Sequence, residues 1–113
     1  MPTFRRGDIV KVPFPYTDSD TRQARPALVI SNPDLEERHG LLWVLMITSA
    51  ANRRWPGDVE IRPLATAGLP VASVVRTAKV ATIDCSRATR IGRVSAGILA
   101  QVFRRVGRLI GAP

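Results

Sequence analysis

Cysteine and histidine each occur only once in this 113-residue chain, as Cys85 and His39. A single cysteine excludes an internal disulfide and suits a reducing cytoplasm. A single histidine excludes a catalytic pair of histidines within one chain, and the side chains that could bind a metal are not clustered. His39 lies in a charged segment, where we expect it to be solvated. The sequence therefore predicts a site without metal or cofactor.

Long apolar runs are also missing, and none approaches the length of a membrane helix. No apolar stretch follows the basic pair Arg5-Arg6, so no secretory signal is expected. The sequence contains neither a glycine-rich phosphate loop nor a Gly-x-Ser-x-Gly elbow. Apolar residues still make up 45% of the chain. We therefore predict one cytoplasmic domain over residues 1–113, with no membrane contact.

Acidic residues and lysine are scarce. The chain has 17 basic and nine acidic residues, a net charge of +8, and lysine only at positions 11 and 79. Asp84 is the last acidic residue, and six arginines follow it. This balance favours a polyanionic partner, either nucleic acid or an acidic protein. The alternative is an arginine-rich codon preference combined with ordinary surface charge.

Apolar and β-branched residues run together in six segments, which we predict to be strands. The second and third do not alternate between apolar and polar residues, so they are expected to be buried on both faces. The segments 32–40 and 65–70 are predicted to be turns. The predicted strands cover residues 9–14, 27–31, 41–49, 58–63, 71–76 and 79–84.

The C-terminal region has a different pattern. Apolar residues recur at helical spacing from Ile98 to Ile110, with arginines on the other face. Ser95 is the predicted N-cap of this helix. The predicted fold is therefore mainly β with helices: a small, strongly bent sheet or barrel with a C-terminal amphipathic helix.

Two residues at strand ends form the candidate catalytic pair. Pro26 favours an extended conformation for Arg25 at the start of one apolar strand, and Thr48 lies at the end of the next. If these strands pair antiparallel, the start of one lies beside the end of the other. A guanidinium and a hydroxyl could then act on one phosphate. The alternative is a surface ion pair for Arg25 and a simple strand-closing role for Thr48.

Other arginines and hydroxyls are candidates for contacting the substrate. A loop with two arginines and a tryptophan suits phosphate contact combined with base stacking. The alternatives are that Trp55 packs over the barrel rim and that Arg76 is a structural ion-pair donor. The candidate substrate-binding residues are Arg22, Ser49, Arg53, Arg54, Trp55, Ser73 and Arg76.

Several short segments occur along the chain in a characteristic order and spacing: Gly7-Asp8-Ile9-Val10, Arg25-Pro26-Ala27-Leu28-Val29-Ile30-Ser31, Ile47-Thr48-Ser49, Gly68-Leu69, Ser73-Val74-Val75-Arg76, Thr82-Ile83-Asp84 and Ser86-Arg87. Together they resemble the MazF/PemK family of toxin endoribonucleases. The resemblance implies an SH3-like barrel of the MazF/PemK/CcdB type that forms a homodimer. It implies metal-independent, sequence-specific cleavage of single-stranded RNA, which inhibits translation. It also implies a cognate acidic antitoxin, with a toxin–antitoxin complex that binds operator DNA.

The resemblance also assigns roles. The family's catalytic arginine and threonine correspond to Arg25 and Thr48, and Arg76 corresponds to an arginine implicated in catalysis or RNA contact. Attack by the RNA 2′-hydroxyl would leave a 2′,3′-cyclic phosphate and a 5′-hydroxyl. The chain departs from its relatives at Ala78-Lys79, where an acidic residue followed by glutamine is common. Two alternatives therefore stay open: a non-enzymatic toxin that binds gyrase, and a catalytically weak, antitoxin-bound regulator.

Overall fold

The computed structural model describes residues 3–13 and 24–111, which form one antiparallel sheet with helices. The strand order is β4-β5-β3-β2-β1-β6. None of the helices in these ranges has the length and apolarity that a membrane crossing needs. The strands are β1 (Asp8–Pro13), β2 (Ala24–Val29), β3 (Leu41–Ser49), β4 (Val59–Glu60), β5 (Ser73–Asp84) and β6 (Thr89–Arg93). The helices are α1 (Pro33–His39), α2 (Leu64–Ala67) and α3 (Ala96–Ile110), with a 3₁₀ turn at Cys85–Arg87.

The sheet has an apolar core on each face, which explains why two strands lack alternation. In β3, Leu45 and Ile47 belong to the core that includes Val102 of α3, whereas Val44 and Met46 belong to the core on the opposite face. All four are almost inaccessible to solvent. Successive side chains of a strand point to opposite faces, so a strand between two cores must be apolar throughout. The prediction of strands buried on both faces is confirmed.

The C-terminal helix is also confirmed, and Ser95 caps it. The Ser95 hydroxyl oxygen accepts a hydrogen bond from the Ile98 N–H at 3.2 Å, which satisfies one of the free donors of the first turn. At the other end, Gly111 adopts a left-handed conformation and closes the helix. The helix buries Val102 completely and leaves its arginine-bearing side toward solvent.

The prediction of a charged turn at 32–40 is wrong, because this segment forms helix α1. The Asn32 side chain accepts a hydrogen bond from the Asp34 N–H at 3.0 Å, and Pro33 occupies the first helical position. Gly40 ends the helix in a left-handed conformation. Each of these residues is a standard helix boundary signal. The signals were present in the sequence, and the high charge of the segment obscured them.

Three further predictions are corrected in the region from β4 to β5. The two strands expected at 71–76 and 79–84 are one strand, β5, in which the pairing with β3 shifts register between Arg76 and Val80. The irregularity falls at the residues that separated the two predicted strands. The fourth strand is only two residues long, and helix α2 overlaps the first half of the turn expected at 65–70. Strand β6 was not predicted, because its glycine and arginines give a weak strand signal.

The two ends of the curled sheet meet at Gly68 and Gly92. A Cβ atom on Gly92 would lie 2.1 Å from the Ala67 carbonyl oxygen, and a Cβ on Gly68 would lie 2.0 Å from that of Ile91. Helix α2, which follows the edge strand β4, thus brings its backbone directly against that of the opposite edge strand, β6. Glycine permits this approach because it has no side chain. The result is a half-barrel with an open end.

Candidate active site

A cleft of about 390 Å³ opens where β2 begins and β3 ends. The segment that follows α2 forms its opposite wall. The residues that line the cleft are Lys11, Arg25, Pro26, Ile47, Thr48, Ser49, Asn52, Gly68, Leu69, Pro70, Val71, Ser73 and Ile91. The charged residues in this set are both cations, and the remainder are hydroxyl, amide or apolar residues. Such a cleft suits an anionic ligand that also has a flat apolar part.

Arg25 and Thr48, the predicted catalytic pair, both line this cleft. Strands β2 and β3 pair antiparallel with Ala27 opposite Met46. Continuing that register by two residues sets Arg25 opposite Thr48. The Thr48 hydroxyl oxygen accepts a hydrogen bond from the Asn52 side-chain amide at 2.6 Å. Because a hydroxyl has one hydrogen to donate, this contact leaves that hydrogen available for another acceptor.

Two of the predicted substrate-binding residues, Ser49 and Ser73, also line the cleft, and they face each other across the β3–β5 pair. Both hydroxyls already stabilise local structure. The Ser73 hydroxyl donates to the Val71 carbonyl oxygen at 2.8 Å, and the Ser49 hydroxyl oxygen accepts from the Ala51 N–H at 3.2 Å. These bonds fix the shape of the two loops that border the cleft.

Lys11 and Asn52 line the cleft but were not among the predicted site residues. Lys11 lies opposite Pro26 in the β1–β2 pair, so it neighbours Arg25 across the sheet. Lys11 is also the one polar residue in the apolar segment 9–14. This isolated charge was the sequence signal that could have identified it as a site residue. Asn52 lies in a loop, and no sequence pattern indicates that its amide reaches Thr48.

The structure does not bring Arg53, Arg54, Trp55 or Arg76 into the cleft. The Arg76 side chain is only 11% exposed, and it donates to the Asp58 carboxylate at 3.1 and 3.3 Å. It also donates to the Arg53 carbonyl oxygen at 2.7 Å, and its guanidinium lies 4.3 Å from the centre of the Trp55 ring. These contacts anchor the loop between β3 and β4. Arg22 lies outside the described residues.

Replacing Asp58 by asparagine should destabilise the fold by about 3–5 kcal/mol, because the buried Arg76 guanidinium would lose its counter-charge. The Asp58 side chain is 2% exposed, so water cannot replace the carboxylate. Urea unfolding measures the change. The matched control is Glu60→Gln, which breaks exposed ion pairs with Arg54 and Arg62 and should have a much smaller effect. Equal effects for the two variants would contradict the structural role of the Arg76–Asp58 pair.

The resolved pKa shifts lie outside the cleft. Hydrogen bonding to Arg62 lowers the pKa of the Glu60 carboxyl, and burial raises the pKa of the Cys85 thiol. Over residues 3–13 and 24–111, no group of three or more metal-binding side chains comes together. The chemistry available in the cleft is therefore that of two exposed cations and of hydrogen-bonding hydroxyl and amide groups.

Residues 5–110 match the family model described as the PemK-like, MazF-like toxin of type II toxin–antitoxin systems. The chain belongs to this family. The match spans nearly the whole sequence and confirms the resemblance that the short segments indicated. A search of the curated proteins gave no significant match.

Solved structures of MazF toxins share the fold. MazF from Deinococcus radiodurans is 29% identical, with 95% of this chain and 96% of that chain covered and a TM-score of 0.75. In a MazE–MazF complex from the same organism, the similar chain is 26% identical, with 96% of each chain covered and a TM-score of 0.77. A mycobacterial endoribonuclease bound to its cognate antitoxin is 18% identical, with 100% of this chain and 98% of that chain covered and a TM-score of 0.76. The predicted small barrel with a C-terminal helix is thus confirmed as the MazF fold.

Proposed function

We propose that this chain is an endoribonuclease toxin that cleaves single-stranded RNA without a metal ion. The observation that carries the proposal is the meeting of Arg25 and the Asn52-bound Thr48 hydroxyl in one open cleft. Membership of the toxin family supports it. The mycobacterial relative named as an endoribonuclease has the same fold.

RNA supplies its own nucleophile, because the 2′-hydroxyl lies next to the phosphodiester that it attacks. The protein must hold the phosphate in line and stabilise the added negative charge at phosphorus. Arg25 suits this task because a guanidinium stays protonated and can donate two parallel hydrogen bonds to phosphate oxygens. The bond that breaks is the one to the 5′-oxygen, so the products carry a 2′,3′-cyclic phosphate and a 5′-hydroxyl.

Thr48 and Lys11 would complete the phosphate contacts. The Asn52 amide occupies an acceptor site of the Thr48 hydroxyl, so the hydroxyl hydrogen can be donated to a non-bridging phosphate oxygen. Asn52 is then a positioning residue, since it acts through Thr48. Lys11 adds a second positive charge to the cleft, and the apolar wall around Leu69 could receive a base.

The direct test is incubation of the purified protein with a long single-stranded RNA, with and without EDTA. Discrete fragments in both samples are expected. Cleavage that EDTA abolishes would contradict the metal-independent mechanism. Intact RNA together with inhibition of purified gyrase would instead favour the non-enzymatic alternative.

We also infer that an acidic antitoxin is the protein partner of this chain. The similar MazF chain of Deinococcus radiodurans is found in complex with MazE, and the mycobacterial endoribonuclease is found with its cognate antitoxin. A net charge of +8 favours a partner of opposite charge. The predicted binding of operator DNA by such a complex stays a prediction.

An uncharged apolar face supports the proposed homodimer. Four large side chains at the C-terminal end of α3 and on β3 and β5 are at least half exposed: Trp43, Val80, Leu109 and Ile110. They border a hollow of about 480 Å³ whose lining residues are all uncharged. Two copies of so basic a chain would repel each other where arginines meet, so a symmetric interface requires a face without charge. We therefore propose that a second copy covers this apolar face.

Replacing Leu109 by glutamate should convert the dimer to a monomer, because an isologous interface would bury the new carboxylate on both subunits. Sedimentation velocity measures the change. Arg104→Glu is the control, since Arg104 lies exposed on the same helix but does not line the apolar face. A monomeric wild-type protein, or a dimer that survives the Leu109 substitution, would contradict this interface.

A further inference from the structure

A second pocket with positive charge lies beyond the cleft, between α3 and the loop that joins β3 to β4. Its volume is about 210 Å³, and Pro56, Gly57, Thr77, Arg105, Arg108 and Leu109 line it. Thr77 and Leu109 also line the apolar face, so this pocket lies at the rim of the proposed dimer interface, with Arg105 and Arg108 outside that face. Arg105 and Arg108 are three residues apart in α3, so their side chains extend along the same side of the helix. No carboxylate lines the pocket, which therefore presents two guanidinium groups to whatever enters it.

Within residues 3–13 and 24–111, no ion pair neutralises the charge of these two arginines. Among the residues that the structure describes, Asp8, Asp58 and Glu60 form ion pairs, all with arginines other than Arg105 and Arg108. Solvated arginines are common on protein surfaces, but two that converge on a concave pocket concentrate positive potential there. An anion bound between them would gain charge-assisted hydrogen bonds from both.

The opposite wall of the pocket is rigid. The Thr77 hydroxyl donates to the Gly57 carbonyl oxygen at 2.9 Å, and the Asp58 carboxylate accepts from the Trp55 N–H at 2.9 Å. The buried Arg76–Asp58 ion pair fixes the same loop to β5. A pocket held in this way loses little conformational entropy when a ligand binds, so more of the contact energy contributes to affinity.

The pocket and the cleft lie at the two ends of one short loop. Asn52 lines the cleft and Pro56 lines the pocket, so the chain between them spans at most about 14 Å. Trp55, immediately before Pro56, is 39% exposed. Arg76 and Lys79 lie over its ring at 4.3 and 5.8 Å, so a base on the way from one to the other could contact the part of the ring that these cations leave exposed. A single strand that occupies the cleft can therefore reach the pocket.

We propose that Arg105 and Arg108 form an accessory binding site for a backbone phosphate of single-stranded RNA, outside the cleft that cleaves it. The site holds the part of the strand that continues past Trp55. It deepens the proposed function, on which its identification as a substrate site rests. Acidic protein segments offer the same charge, but they have no flat base to place beside Trp55, so we favour RNA.

The test measures binding without cleavage, using 2′-O-methyl RNA strands of about 2 nucleotides, too short to span the ~14 Å between Asn52 and Pro56, and of about 16 nucleotides, the upper end of the range that one small single-strand-binding fold covers. In the Arg105→Gln/Arg108→Gln variant, affinity for the long strand should fall about tenfold, and the slope of log affinity against log salt should decrease by about 0.7, the value for one phosphate contact on a single strand. Affinity for the short strand, which fills only the cleft, should change less than about twofold.

The control is Arg38→Gln/Arg87→Gln, which removes the same charge from exposed arginines that line neither the cleft nor the pocket. The proposal would be overturned if the two double variants lost the same affinity for the long strand. It would also be overturned if Arg105→Gln/Arg108→Gln weakened binding of the short and long strands equally. So would weakened binding of a polyglutamate peptide with unchanged RNA binding, which would assign the arginines to a protein partner. Because the strands cannot be cleaved, binding and cleavage are tested separately. If the Arg105→Gln/Arg108→Gln variant loses affinity only for the long strand while the wild-type protein cuts no RNA, the proposed function is refuted and this site stands.

Discussion

Replacing Arg25 by glutamine should lower the rate of RNA cleavage by about 10²–10³, the usual cost of removing one preorganised donor from a developing negative charge. Glutamine keeps a hydrogen-bonding group of similar length but has no charge. Because the guanidinium acts mainly as charge builds up at phosphorus, kcat should fall far more than the affinity for a noncleavable strand. Single-turnover kinetics with an end-labelled RNA separates the two quantities.

Two further variants sharpen this prediction. Arg25→Lys should recover only part of the rate, since a lysine cannot make the bidentate contact. Arg38→Gln, an exposed arginine outside the cleft, should leave the rate within a factor of about two, because a distant surface charge is screened by salt. Equal rates for Arg25→Gln and the wild type would remove Arg25 from the mechanism.

A large loss of folding stability is also expected from Gly92→Ala, which should destabilise the protein by about 3 kcal/mol or more. The added Cβ would lie 2.1 Å from the Ala67 carbonyl oxygen and 2.2 Å from its carbonyl carbon. Backbone atoms cannot rotate away as a side chain can, so β6 or α2 must move and the sheet closure must loosen. Urea or thermal unfolding measures the loss.

Gly107→Ala is the matched control for the glycine substitution. Gly107 lies in helix α3, and nothing lies within 4 Å of an added Cβ. Alanine should therefore stabilise the protein by up to about 1 kcal/mol, because it lowers the entropy of the unfolded chain and favours the helix. If Gly92→Ala were as stable as the wild type, the backbone contact between α2 and β6 would not be what closes the half-barrel.

The sequence predicted those parts of the fold that depend on local pattern. The unbroken apolar run of β3 indicated burial on both faces, and Ser95 with the spacing of residues 98–110 indicated α3. Helix α1 could have been predicted from its Asn32, Pro33 and Gly40 boundary residues. In contrast, the contact between Gly68 and Gly92 joins segments far apart in sequence, so no local pattern could reveal it.

The candidate site divides in the same way. The antiparallel pairing of two strands was sufficient to predict that Arg25 and Thr48 lie in the same region. The contribution of Asn52 was not predictable, since it depends on how the loop after β3 folds back toward Thr48. Arg76 has the residue type of a phosphate ligand, yet Asp58, distant in sequence, engages it in a buried ion pair. Residue type gave the available chemistry, and tertiary packing decided which residues line the cleft.

The central claim is that the RNA itself supplies the nucleophile, and one substrate tests it directly. An RNA with a mapped cleavage site is prepared with a single 2′-deoxy nucleotide on the 5′ side of the scissile phosphate. We predict that cleavage at this site disappears while cleavage at unmodified sites continues, leaving a 2′,3′-cyclic phosphate and a 5′-hydroxyl. Cleavage of the deoxy-substituted site at the normal rate would contradict the account.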